Sequence, residues 1–134
     1  MPQFLRLATL ALLLPGAAAA QARPPLGQVE VVTEGLIDAA LAYEIDRVCE
    51  ELDGRRVQGI ALLWSLYGEA LSLGYSRAEV EAFVDDDAEK DRLEGIARAR
   101  LRDMGAVEGQ PGTFCAVGRD EIAKNSRIGG LLSD

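Results

Sequence analysis

Leu41, Ile45, Val48 and Leu52 recur at spacings of four, three and four, and Ile37 extends the series by one turn. That rhythm is one face of an α-helix. It returns in four further segments, and no stretch shows strand alternation of convincing length. The pattern predicts an all-α fold, a single small bundle of about five helices. The first helix should begin near residue 29. Before it lies the lead-in Arg23-Pro24-Pro25-Leu26-Gly27, extended because its two prolines lack a backbone N–H. Asp53-Gly54 is its expected stop.

A second helix is expected from about residue 55 to 73. Val57, Ile60, Ala61, Trp64, Gly68 and Leu71 form one apolar stripe on it, and Leu62, Leu63, Leu66 and Leu73 a second. A helix apolar on most of its circumference belongs at the centre of a bundle. This reading puts Trp64 and Tyr67 in the core and makes Gly59, Ala61, Gly68 and Ala70 points of close helix approach. Gly74 suits a left-handed C-terminal cap. Ser76 and Glu79 have the spacing of a capping box that opens a third helix, with Val80, Phe83 and Val84 as its buried face. The fourth helix carries Leu93, Ile96, Ala97, Leu101 and Met104. Three Asp sit at its start and Arg98, Arg100 and Arg102 near its end, as the helix dipole favours. After a Gly-rich loop the last helix should run from about 113 to 124, burying Phe114, Val117 and Ile122 beside Cys115. Residues 128–132 read as an apolar, flexible tail.

The N-terminal segment reads as an address. Arg6 supplies positive charge, residues 7–14 are a short apolar run, Pro15-Gly16 breaks it, and small residues follow. Residues 1–22 are therefore expected to be a signal peptide, cleaved after Ala22 in preference to Ala20, leaving 23–134 as one helical domain. The apolar run is shorter than the roughly 20 residues that span a bilayer, so no stable membrane insertion is expected after cleavage. The implied location is periplasmic or secreted. In such an oxidising compartment Cys49 and Cys115 allow one intramolecular disulfide.

Composition removes several classes of function. The chain holds 14 basic and 22 acidic residues, a formal charge of −8, and no histidine. Nucleic acids and anionic membranes need clustered Lys and Arg, so neither is an expected partner. Without His there is no His-based triad, no His-ligated metal and no imidazole switch. The acidic run at 85–91 fails as a calcium loop, because Lys90 stands where Gly is needed and Ile96 where a bidentate Glu is needed. An acidic helix N-terminus accounts for it. No catalytic residue, metal ligand or cofactor site is expected, and no serine sits in a Gly-x-Ser-x-Gly elbow.

The run Gly74-Tyr75-Ser76-Arg77-Ala78-Glu79-Val80-Glu81-Ala82-Phe83 resembles a family of small exported alphaproteobacterial proteins of the Rhodobacterales type, itself a domain of unknown function. Gly105-Ala106-Val107-Glu108-Gly109, Phe114-Cys115-Ala116-Val117-Gly118-Arg119, the Pro24-Pro25-Leu26 lead-in, Cys49 and Ser126-Arg127-Ile128-Gly129 share the resemblance. It implies a signal peptide, a helical domain and a Cys pair, and it brings no activity or catalytic residues. The residues favour a non-catalytic module that binds a protein or peptide of the envelope or periplasm through apolar surface. An acid-activated chaperone is the form expected first. A carrier of a small apolar ligand is the alternative, and a small carboxylate-based enzyme stands behind both.

Overall fold

Ile37, Leu41 and Ile45 are only 2%, 1% and 0% exposed, so the first helix is the axis of the molecule. The computed structural model describes residues 23–134; the leader expected at 1–22 lies outside the described residues. A 3-10 turn at Leu26–Gln28 leads into α1 (Glu30–Val48), β1 (Asp53–Gly54), α2 (Arg56–Ser72), α3 (Arg77–Val84) and α4 (Asp87–Asp103). Then come α5 (Pro111–Ala123), α6 (Arg127–Gly130) and β2 (Leu132–Ser133). The all-α expectation is borne out, with one four-residue helix more than the five expected. α2, α4, α5 and α6 all pack on α1, while α3 packs on α2 and α4. Small residues on α1 make this possible. Gly35, Ala39, Ala40 and Ala42 thin the helix on several sides, and a Cβ at Gly35 would lie 2.6 Å from Leu66 Cδ2 of α2.

The central helix is thus α1, not α2 as expected from its two stripes. Only Leu66 and Ala70 of α2 are fully buried. Gly59 and Gly68 face open space, where an added Cβ would meet nothing. The reason lies in what remains to cover α2. α3 is eight residues long, and α4 spends its apolar stripe, Leu93, Ala97 and Leu101, on the α1 core. Val84, expected to be buried, is exposed for the same reason.

Helix ends follow local chemistry closely. Ser76 accepts from the Glu79 backbone N–H at 3.1 Å while the Glu79 carboxylate accepts from Ser76 N–H at 2.6 Å, completing the capping box. Asp86 caps α4, accepting from Ala88 and Glu89 N–H. Gly74 (φ 94°) and Gly105 (φ 109°) take the left-handed conformation that lets the next residue donate back to the helix, Tyr75 to Ala70 and Ala106 to Leu101. α1 ends at Val48, four residues before Leu52. Cys49 leaves the helix in extended geometry and is bonded to Cys115 of α5, with the two Cα atoms 5.2 Å apart. The expected disulfide is therefore present. Leu52 still reaches the core, from the turn.

The segment 128–132 is not a flexible tail. Ser126 caps α6 by accepting from Gly129 N–H, and α6 sits against the backbone of Glu121 at the end of α5. β2 then pairs antiparallel with β1, Gly54 opposite Leu132. Ile128, Leu131 and Leu132 join the main core. Apolar residues near a chain end are read as mobile when no partner is visible in sequence, yet here Cys49, Leu52 and β1 provide one.

Candidate functional site

The side of α2 turned away from α1 is apolar and uncovered. Val57, Ile60, Leu63 and Trp64 are 74%, 58%, 50% and 68% exposed, and Leu71 lies on the same side. At about 100° per residue these positions share one broad face of the helix. Trp64 stacks edge-on against Tyr67, ring centroids 5.7 Å apart. The reading that placed Trp64 in the core is corrected: it stands at the rim of a groove.

That groove has a volume of about 750 Å³. Its floor is the apolar side of α1, Val32, Leu36 and Ala40, with Leu26 ahead of them. One wall is α2, from Ile60 to Ala70. The other is Val80, Phe83 and Val84 of α3 and Leu93 of α4, with the charged groups Arg77, Glu81, Glu89, Lys90 and Glu94 along it. The floor offers no hydrogen-bonding side chain. A second core cluster, formed by Leu26, Val32, Ala70, Tyr75 and Val80, closes one end. It is held by the lead-in, where the Tyr75 hydroxyl donates to Pro24 carbonyl and Arg23 lies 5.1 Å from the Tyr75 ring centroid. The groove is therefore a shaped surface with an apolar floor, suited to burying apolar side chains, and with charged groups along one wall.

The carboxylates are engaged elsewhere. Arg100 of α4 donates two hydrogen bonds to Glu34 of α1, at 2.6 and 2.7 Å. These bonds hold the Glu34 carboxyl below its usual range. One turn on, Asp38 pairs with Arg127 at 3.3 Å. Its burial outweighs that partner and raises its carboxyl above the usual value. Arg119 binds Glu51 across the α1–α5 junction. Glu121, mostly buried, lines a smaller hollow of about 310 Å³ with Asp120, Lys124 and Met104. Lys124 bridges both acids, at 2.5 Å to Asp120 and 3.6 Å to Glu121. The acidic run at 85–91 forms the α3–α4 junction and the start of α4. Among the described residues no group of three His, Cys, Asp or Glu is placed to hold a metal ion.

Of the sites read from sequence, the Cys49–Cys115 bridge is where it was expected. The groove was missed. Its signal was the stripe Val57, Ile60, Trp64 and Leu71 of α2, which the periodicity assigns to the core and the structure leaves exposed. The Glu34–Arg100 pair was beyond sequence reading, since 66 residues separate the partners and only the packing of α1 on α4 joins them. No described helix is long and apolar enough to cross a membrane.

No curated protein and no solved structure matches the chain. Residues 24–133 do match a family profile, described as a family of unknown function, and the match takes in α1 to α6 together with both cysteines. The expected membership of a domain of unknown function is thereby borne out: the chain belongs to the family of unknown function DUF5333.

Proposed function

We propose that this protein is a non-catalytic binding module that holds an apolar segment of another protein in the groove beside α2. The observation that carries the reading is the uncovered face of α2, with Trp64 and Ile60 more than half exposed beside the groove. Contiguous apolar surface of this kind marks interaction sites on soluble proteins, and an exposed aromatic anchor is typical of their energetic centres. The disulfide and the leader-like segment support a periplasmic or secreted location, so an envelope or periplasmic protein is the partner class. Chaperone-like holding of clients is one form of this activity. The α2 face is open in the folded chain, so clients would be held at neutral pH as well as in acid.

The second reading, a carrier of a small apolar ligand, is favoured by the groove's volume, which falls within the roughly 300–1,000 Å³ of small-molecule sites. It is weaker because the floor lacks the few convergent polar groups that orient such ligands. An enzyme reading has less behind it, since Asp120 and Glu121 share a hollow but are both tied to Lys124.

The test is affinity capture from envelope extract with residues 23–134 and with an Ile60→Asp/Trp64→Ser variant, whose changed positions are exposed. A partner identified by mass spectrometry that the first retains and the second loses about tenfold or more supports the reading. Equal retention by both overturns it. Native mass spectrometry of the purified protein separates the carrier: a stoichiometric adduct of small-molecule mass, lost in the same variant, would put the second reading first.

A further inference from the structure

Resting on that reading of the groove, we infer that in the free protein the open face of α2 is covered by a second copy of this chain, the two α2 helices packed antiparallel about a two-fold axis. α2 carries two seams. Leu62, Leu66 and Ala70 are four apart and turn inward, Leu66 against Gly35 of α1. Val57, Ile60, Trp64, Tyr67 and Leu71 follow one another at three, four, three and four, the spacing by which one helix faces another in a coiled coil. All of this second seam except Tyr67 is exposed. The positions beside it, Ala61 and Gly68 on one flank and Leu63 and Ala70 on the other, are uncharged as well. Ile60, Trp64 and Tyr67 also line the groove, so a second copy and a bound partner exclude each other.

Charge and area both favour a second copy. Residues 57–68 carry no charge. On the opposite wall Glu89 accepts from Arg92 and Glu94 lies 3.7 Å from Arg98, which leaves Glu81 against Arg77 and Lys90 and selects neither sign of partner. The fitting occupant is an uncharged apolar face, and another α2 brings one of the same spacing and the same length, about 25 Å for 17 residues. Much of the chain's net −8 sits on the helix behind, since α1 carries five acids and one base. Antiparallel order sets the end with Arg56 beside the end with Glu69 and opposes the two helix dipoles, whereas parallel order brings like ends together. Val57, Ile60, Leu63, Trp64 and Leu71 leave roughly 400 Å² of apolar surface open on each copy, counting about 100 Å² for a whole aliphatic side chain and about 250 Å² for tryptophan. A standard interface buries about 800 Å² per partner, somewhat over half of it apolar, so the seam comes close to what a stable dimer needs. The interface is isologous, as in most dimers. Trp64 is the midpoint of the seam, and full overlap sets the two Trp64 side chains near the two-fold axis.

Sedimentation velocity of residues 23–134 from about 5 to about 500 µM tests the inference, with Trp64, the sole tryptophan, as the reporter. The expected result is a monomer–dimer equilibrium in which Trp64 emission shifts to the blue as dimer forms. Association should hold or tighten between about 50 mM and about 300 mM salt, because the contact is apolar and salt screens the net charge. Ala61→Glu/Gly68→Glu changes exposed positions that do not line the groove. It should weaken the dimer about tenfold or more through like charges across the seam, while the circular dichroism of the fold is unchanged. Ala61→Cys protein mixed with Gly68→Cys protein should cross-link to it in preference to itself, as antiparallel order requires. Self-linked products alone would mark parallel helices and overturn the arrangement. A chain that stays monomeric at every concentration overturns the second copy and leaves the groove reading standing. A dimer of undiminished strength in Ala61→Glu/Gly68→Glu places the contact elsewhere and overturns the inference as well. A dimer lost in that variant, with no partner captured from envelope extract by either form, supports the second copy and overturns the groove reading instead.

Discussion

Glu34 and Asp38 lie one turn apart on α1, carry the same chemistry and respond to the fold in opposite directions. Glu34 is held down by the two hydrogen bonds from Arg100. Its contribution to stability is fully present above the ordinary glutamate value of roughly 4.3 and is lost as pH falls through the lowered folded value. Asp38 is pushed up, chiefly by burial. Its charge is unfavourable to the fold at neutral pH, and stability is regained as pH falls through the raised value. Both partners of the Glu34–Arg100 pair are about 40% exposed, so solvent discounts the pair to about 1 kcal/mol or less. Urea unfolding from pH 7 to pH 3 checks both signs. Glu34→Gln should be less stable than the parent at pH 7 and converge on it in acid. Asp38→Asn should be at least as stable at pH 7 and lose that standing as pH falls. A Glu34→Gln deficit that grows in acid would refute the assignment. Neither direction was legible in sequence, because Arg100 and Arg127 are 66 and 89 residues away from their partners.

Among the α-helices, the shortest depends on the closest approach. α6 has four residues, and a Cβ on Gly129 would collide with the carbonyl of Glu121, which is backbone and cannot swing aside. Gly129→Ala should therefore cost about 1–3 kcal/mol, the usual range for overpacking. It should also release β2 from β1, seen as faster amide exchange at Gly54 and Leu132. Gly95, in the interior of α4, is the control. A Cβ there meets nothing, so Gly95→Ala should stabilise by about 0.5–1 kcal/mol through helix propensity alone. Equal effects of the two substitutions would show that packing at α6 is unimportant. Such contrasts explain which element boundaries were readable. The capping box at Ser76 and the Gly74 stop act within five residues, and the structure has both. The end of α1 depends on Cys115, 66 residues away, and the docking of α6 on a close approach to the Glu121 backbone that no residue pattern announces.

For the whole molecule, the Cys49–Cys115 bond ties α1 to α5 and closes a separation of 66 residues. The chain-entropy account assigns such a loop about 4 kcal/mol as an upper value, a large part of the roughly 5–15 kcal/mol that holds a domain together. Cys49→Ser/Cys115→Ser should lower the urea midpoint strongly and steepen the slope, because the unfolded chain without the cross-link exposes more surface. In the parent, both sulfurs are buried, so reduction should proceed only as fast as unfolding. Reduction that outpaces unfolding would contradict that burial. Helical periodicity, caps and cysteine count act locally or by exclusion. They sufficed for an all-α domain with one bridge, because each helix is written in residues three and four apart. Which helix lies at the centre is a question of which faces find cover. α2 is the more apolar by composition, but α1 has the small residues that admit neighbours on several sides, and the eight residues of α3 cannot cover what α2 leaves open. Apolar periodicity states that a face seeks burial. Only the packed chain decides whether that face finds a partner in the same molecule, as for 128–132, or stays uncovered, as for Trp64.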